Sequence, residues 1–133
     1  MKQIDVVGGI IIENDQVLCL QRGPGLSLEY LWEFPGGKVK DGETQQDALA
    51  RELQEELSIE VAVQEEIFDT SSYVYSFGQV NLTTIICHLK TGEPQLSEHA
   101  AMKWLGFDQL KELDWAPADI PAVEKLMRMY GEA

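Results

Sequence analysis

Cysteine is scarce: Cys19 and Cys87 are the only two in 133 residues. Two cysteines build neither a disulfide framework nor a zinc cluster. Each lies in an apolar run, Val17–Leu20 and Ile85–Leu89, where a reduced, buried thiol is expected. Basic residues are also few. Ten Lys+Arg stand against 23 Asp+Glu, a formal net charge of −13. Such a chain repels the phosphates of nucleic acid polymers and of anionic membranes, which argues against a general coating role on either. Nowhere do 18 apolar residues run together, so no membrane-spanning helix is expected. The start, Met1-Lys2-Gln3-Ile4-Asp5-Val6, lacks the apolar segment and cleavage site of an export signal, and the expected location is the cytoplasm. Internal repeats, low-complexity tracts and linkers are absent.

What is present suits a packed core. Apolar residues make up 44%, with 3 Trp, 4 Tyr and 4 Phe, and the length suits one domain over residues 1–133. Ile4–Glu13 is a β-branched run and predicts a strand, with Gly8 and Gly9 marking a close approach or a bulge. Asn14-Asp15 predicts a turn and Gln16–Arg22 the returning strand. Gly23–Gly42 reads as a long loop rich in Gly and aromatics, and loops of that length are usually functional. Thr44–Leu57 is the clearest helix: Thr44 caps it, and Leu49, Leu53 and Leu57 form its core stripe. Strands are expected at Val61–Asp69, Ser72–Phe77 and Val80–Lys90, with Gly78-Gln79 turning between the last two. A polar loop over Thr91–His99, a strand at Ala101–Leu105 and a short helix near Asp108–Leu113 follow. A last helix is expected from about Asp119, burying Ile120, Val123, Met127 and Tyr130. This order is not alternating βαβ. The fold class is α/β in the α+β sense, a mixed β-sheet sandwiched between helices.

The chemistry concentrates in Arg51-Glu52-Leu53-Gln54-Glu55-Glu56-Leu57. On a helix Glu52, Glu55 and Glu56 fall within roughly a 100° arc. Like charges at that spacing repel, and Arg51 is the one nearby counter-charge. A local rule broken in this way often marks a functional site. Convergent carboxylates suit Mg²⁺ or Mn²⁺. The alternative is an acidic solvated face, but such faces usually interleave Lys with Glu. Ala48, one turn earlier, would leave room for a ligand. Just before the helix, Gly36-Gly37 admits close backbone approach and Lys38 can meet a phosphate.

Gly37, Glu43, Arg51, Glu52, Leu53, Glu55, Glu56 and Ile59 resemble the Nudix box. Every spacing fits; Ser58 alone departs, standing where the box has the glycine that ends the helix in a left-handed conformation. Leu20-Gln21-Arg22, Trp32–Lys38 and Ala116–Pro121 resemble the MutT-like branch of the Nudix hydrolase superfamily. They look most like its bacterial CTP pyrophosphohydrolase and 8-oxo-dGTP diphosphatase types. The resemblance implies a Nudix fold and a Mg²⁺-dependent pyrophosphohydrolase of nucleoside triphosphates. It implies metal ligands and catalytic carboxylates at Glu52, Glu55 and Glu56, with the Gly36 carbonyl as a further ligand. Glu98 is implied as an extra ligand or water-activating base. Arg22 and Lys38 fall near the triphosphate, Phe34 and Asp119 near the base. Gly37, Glu43 and Arg51 are structural members of the box.

Each role has an alternative. Arg22 could simply end a strand, Phe34 belong to the core, Asp119 cap the last helix, and Glu98 be solvated with His99 in its place. The implied reaction is attack by water on a bridging phosphorus, most readily the β one, giving a nucleoside monophosphate and pyrophosphate. The cations would neutralise phosphate oxygens and lower the water's pKa, and a glutamate would take the proton. An acidic protein then binds an acidic substrate as its metal complex, as a monomer or homodimer. An ionised Asp119 only accepts hydrogen bonds, which favours the N4 amino group of cytosine over O6 of 8-oxoguanine; a buried, protonated Asp119 would regain a donor and blur the distinction. Cytidine-type triphosphates therefore lead and oxidised guanine nucleotides follow, a nucleotide-pool sanitation role. Two rival readings are hydrolysis of another nucleoside diphosphate-linked substrate and a non-catalytic nucleotide-binding module.

Overall fold

A computed structural model describes residues 1–131. Its centre is β1 (Gln3–Glu13), which runs parallel to β7 (Gly78–Thr91) over nine residue pairs. β2 (Gln16–Gln21) returns antiparallel to β1 through Asn14 and Asp15, both left-handed with φ 50 and 60. Two such residues match the strand twist of a two-residue hairpin, and short polar side chains tolerate the conformation. β2 also pairs with β3 (Trp32–Glu33) and β8 (Ala101–Gly106). β4 (Gly36–Lys38) lies along Val6–Gly8 of β1. β5 (Glu60–Val63) and β6 (Asp69–Tyr75) share the outer edge of β7, end to end.

Strand alternation divides the core between two helices. Val7, Ile11, Leu18, Leu20, Ile85 and Cys87 face α1 (Gln45–Leu57) and its stripe Leu49, Leu53 and Leu57. Ile10, Val17, Cys19 and Ile86 face α2 (Ile120–Tyr130) through Ala122, Val123 and Leu126. The mixed sheet between helices is as expected. The two cysteines lie on opposite faces, unpaired, and burial pushes each thiol up to about 12. Among the described residues no helix is long and apolar enough to cross a membrane.

Four details differ from expectation. The long loop from Gly23 to Gly42 contains β3 and β4, too short to show periodicity. The run Val61–Asp69 breaks after Val63, because Gln64, Glu65 and Glu66 are exposed where the chain passes from β5 to β6. The β6–β7 turn falls at Ser76-Phe77, and Gly78 is already a strand residue paired with Tyr75. On α2, Ile120 and Tyr130 are exposed and Met127 is only partly buried, while Ala122 and Leu126 take the core. The 3-10 turn Pro117–Asp119 sets the helix rotation, so the buried stripe runs Asp119, Ala122, Val123, Leu126, at i, i+3, i+4, i+7.

Candidate active site

The β1–β7 register sets Ile4 beside Val80 and Val6 beside Leu82 on one face of the sheet. Gly8 adds no side chain there. A cleft of about 430 Å³ opens over this floor. Its walls bring together Arg22, Phe34, Gly36, Gly37, Lys38, Glu56 and Asp119, seven of the residues singled out in the sequence.

Both glycines stand where a side chain would collide with a neighbour, backbone at Gly36 and side chain at Gly37. A β-carbon on Gly36 would overlap the Val7 carbonyl, and one on Gly37 would overlap the Glu52 carboxylate. Glu43 and Arg51 pair in a fork, with Nε to Oε2 at 2.7 Å and Nη2 to Oε1 at 2.9 Å. The Arg51 hydrogen bond holds the Glu43 carboxyl down at about 2, with help from the Lys40 backbone N–H. The same guanidinium donates to Glu52 and Glu55 at 3.2 Å each and to the Lys38 carbonyl at 3.1 Å. It therefore fastens β4 to α1 and gathers three of the box carboxylates, two of them expected ligands.

Glu56 sits apart from Arg51, at the cleft. Burial pushes its carboxyl up to about 7; Glu52, Glu33 and Glu98 add to the rise and His99 opposes it. Its Oε2 is buried without a hydrogen-bond partner. Glu55 is more than half exposed and points to Arg51 rather than into the cleft. Glu98 is exposed and outside the lining, though close enough to act on Glu56 electrostatically. Among the described residues no three His, Cys, Asp or Glu side chains stand together as a ready cation site. The donor chemistry nonetheless fits a hard divalent cation: an orphaned buried carboxylate oxygen with Glu52 and Glu98 as charged neighbours. Ala48 is fully buried in the α1 core, so it leaves no room for a ligand; its face of the helix turns inward there.

At the other end, Phe34 is both core and cleft wall, its ring 4.9 Å from that of Trp115. Asp119 does not cap α2 through its side chain. Its Oδ2 instead accepts the Phe34 backbone N–H at 3.0 Å. Burial, with Glu33 adding, pushes this carboxyl up to about 8, and in its protonated form it can donate as well as accept. A protonated Asp119 regains a donor, the case in which the preference for cytosine over 8-oxoguanine blurs. Tyr75 lines the cleft with its hydroxyl accepting the Ala118 N–H at 2.9 Å.

Glu33, not singled out in the sequence, joins two residues that are, Arg22 and His99. Glu33 accepts Arg22 Nη1 at 3.0 Å on Oε1 and meets His99 Nε2 at 2.9 Å on Oε2. Arg22, besides this, donates through Nε to the Ser27 carbonyl at 2.7 Å. Alternation along Trp32-Glu33-Phe34 puts Glu33 on the face opposite its neighbours, and no local signal joins it to His99.

The NUDIX domain family matches residues 2–126. The CTP pyrophosphohydrolase of Escherichia coli is 39% identical over 136 residues, covering 97% of this chain and 95% of that protein. The 8-oxo-dGTP diphosphatase of Escherichia coli is 32% identical over 130 residues, covering 97% of this chain and all (100%) of that protein. The solution structure of a MutT protein from methicillin-resistant Staphylococcus aureus superposes with a TM-score of 0.78 at 47% identity, covering 96% of this chain and 97% of that one.

Proposed function

The chain belongs to the Nudix hydrolase family, and from that premise we propose that residues 1–133 form one domain that hydrolyses nucleoside triphosphates to the monophosphate and pyrophosphate. The proposed substrates are cytidine-type triphosphates (CTP, dCTP) or 8-oxo-dGTP, the classes named for its relatives. Removing such nucleotides from the pool would be its cellular use.

The observation that carries the reading is Glu56: a half-buried carboxylate, one oxygen without a partner, in the same cleft as Arg22 and Lys38. Two cationic side chains and a buried carboxylate fit a polyphosphate that reacts with water. Arg22 and Lys38 would hold phosphate oxygens, Arg22 with its guanidinium oriented by Glu33. Phe34, Tyr75 and Leu82 would enclose the base, with the Asp119 carboxyl at its edge. Glu56 would take the proton from the attacking water. Glu52, Glu56 and Glu98, with Glu55 and the Gly36 carbonyl as further donors, would hold the divalent cation, Mg²⁺ or Mn²⁺. When bound, it supplies charge neutralisation at the phosphates and acidifies water.

The test is a panel of canonical and oxidised nucleoside triphosphates incubated with the protein and Mg²⁺. Pyrophosphate and monophosphate are expected. Orthophosphate with a nucleoside diphosphate, or no turnover of any triphosphate, would overturn the reading.

A further inference from the structure

Only two buried side-chain polar atoms lack a partner among the described residues: Glu56 Oε2 and His99 Nδ1. They belong to residues that act on each other electrostatically. The His99 side chain is 7% exposed and its other nitrogen, Nε2, lies 2.9 Å from Glu33 Oε2. Glu33 already accepts from Arg22 on its other oxygen, as a carboxylate does, so Nε2 carries the hydrogen and donates. In the neutral ring Nδ1 is then a lone-pair acceptor. A buried imidazole with one unpartnered nitrogen costs more than a well-packed apolar side chain would, so packing alone does not account for it.

The segment around His99 is tied to the site at several points. Ser97 Oγ donates to the Glu56 carbonyl at 3.2 Å. The Ala100 N–H donates to the Gln21 carbonyl at 2.9 Å. The Glu98 carbonyl lies so close to Gly23 that a β-carbon there would clash. The connection carrying Glu98 thus spans the end of α1 and the end of β2, and His99 is its buried side chain.

We propose that His99, held through Nε2 by Glu33, is a positioning residue of the hydrolytic site. It fixes Glu98 and Glu56 relative to the Arg22 guanidinium that shares the same Glu33 carboxylate. The inference rests on the hydrolase reading and extends it. Glu33 ties the segment that carries Glu98 to the phosphate grip: Arg22 on one oxygen, His99 on the other.

The experiment compares His99→Ala, His99→Gln and Glu33→Gln on the triphosphate that the parent hydrolyses best. Glutamine places an N–H near the position of imidazole Nε2 and can keep the bond to Glu33. His99→Ala should lower kcat by about tenfold or more, as small displacements of reacting groups do. Its KM should stay within about twofold of the parent, the pattern of a lost transition-state arrangement. His99→Gln should recover most of kcat. The double variant His99→Ala with Glu33→Gln should fall less than the product of the two single losses, because the partners act through one bond. Should His99→Ala fail to fold, Glu33→Gln against His99→Gln carries the same comparison. Unchanged kcat in the His99 variants would overturn the inference alone. Equal losses in His99→Ala and His99→Gln together with a lowered Tm would also overturn it, marking His99 as structural. A parent that turns over no triphosphate would remove the hydrolase reading and this inference with it.

Discussion

Gly37 and Glu52 compete for one space: a β-carbon on Gly37 would overlap the Glu52 carboxylate. The obstructing group is the far end of a flexible side chain, so Gly37→Ala should fold, with a stability change under about 1 kcal/mol. Glu52 must move aside, however, and turnover should drop by about tenfold or more. Gly36→Ala meets the Val7 backbone carbonyl instead, which cannot move without breaking the β1–β4 ladder. It should cost about 2 kcal/mol or more in folding. Thermal melts and kcat measured on both variants check the contrast; a stable, fully active Gly37→Ala protein would sink the assignment of Glu52 to the site.

Glu56→Gln should abolish Mg²⁺-dependent pyrophosphate release and leave the fold intact. The pH dependence of its stability follows from the sign of the Glu56 shift. The folded carboxyl is raised from 4.5 to about 7, so the folded state keeps a proton that the unfolded chain has released. Stability is therefore lost as pH rises from about 4.5 through about 7. Glutamine removes that loss. Without metal, the Tm of Glu56→Gln should match the parent near pH 4 and exceed it at pH 8. An active Glu56→Gln enzyme would overturn both the base and the ligand role.

Much of this site is legible in sequence because its parts are local. The leucine stripe of α1 and the box spacing place Glu52 and Glu56 on one helix, and Gly36-Gly37-Lys38 precedes it by a few residues. The fork between Glu43 and Arg51 follows from their standing eight apart across one loop-to-helix corner. What escapes is set by long-range placement. Glu33 and His99 are 66 residues apart and meet only because β3 and β8 both pair with β2. The buried face of α2 is hidden from the sequence because its stripe starts at a carboxylate, Asp119, which apolar periodicity does not count. Gly78 suggested a turn but its φ of 144 serves a strand end beside Lys2.

Mg²⁺ should raise the Tm, since a ligand bound by the native state alone stabilises it. The gain should vanish when Glu52, Glu55 and Glu56 are all replaced by Gln. Thermal melts with and without the ion read this directly. An equal gain in the triple variant would place the cation elsewhere on the chain.

Ser58 ends α1 in the left-handed conformation, φ 58 and ψ 37, where the family box has glycine. Its N–H still closes the helix on the Gln54 carbonyl at 3.1 Å. Ser58→Gly removes a β-carbon from a strained position at some cost in unfolded-chain entropy, a net gain of about 0.5–1 kcal/mol. Activity should be unchanged, because the exposed serine contributes no group to the cleft. Urea unfolding checks the sign; a loss of stability would show that the serine side chain holds the cap.

Asp119 decides how the base reading depends on pH. Its carboxyl is raised from 3.8 to about 8, mainly by burial, while Oδ2 keeps the Phe34 N–H. Below about pH 8 the neutral acid can donate to an acceptor such as O6 of 8-oxoguanine. Above it the carboxylate only accepts, which suits the N4 amino group of cytosine and repels O6. The kcat/KM ratio for dCTP over 8-oxo-dGTP should therefore rise between pH 7 and pH 9, by up to about tenfold if one polar contact changes character. Asn can accept from Phe34 and donate at every pH, so Asp119→Asn should flatten this profile and lower the ratio at pH 9. The same substitution should raise Tm increasingly as pH climbs from about 4 to about 8. Over that range the buried acid of the parent holds a proton that its unfolded chain releases, and stability is lost. A ratio with the same pH profile in parent and variant, alongside the Tm gain, would confine Asp119 to the folding of the Phe34 turn and leave base choice to Phe34 and the Gly23–Leu31 loop.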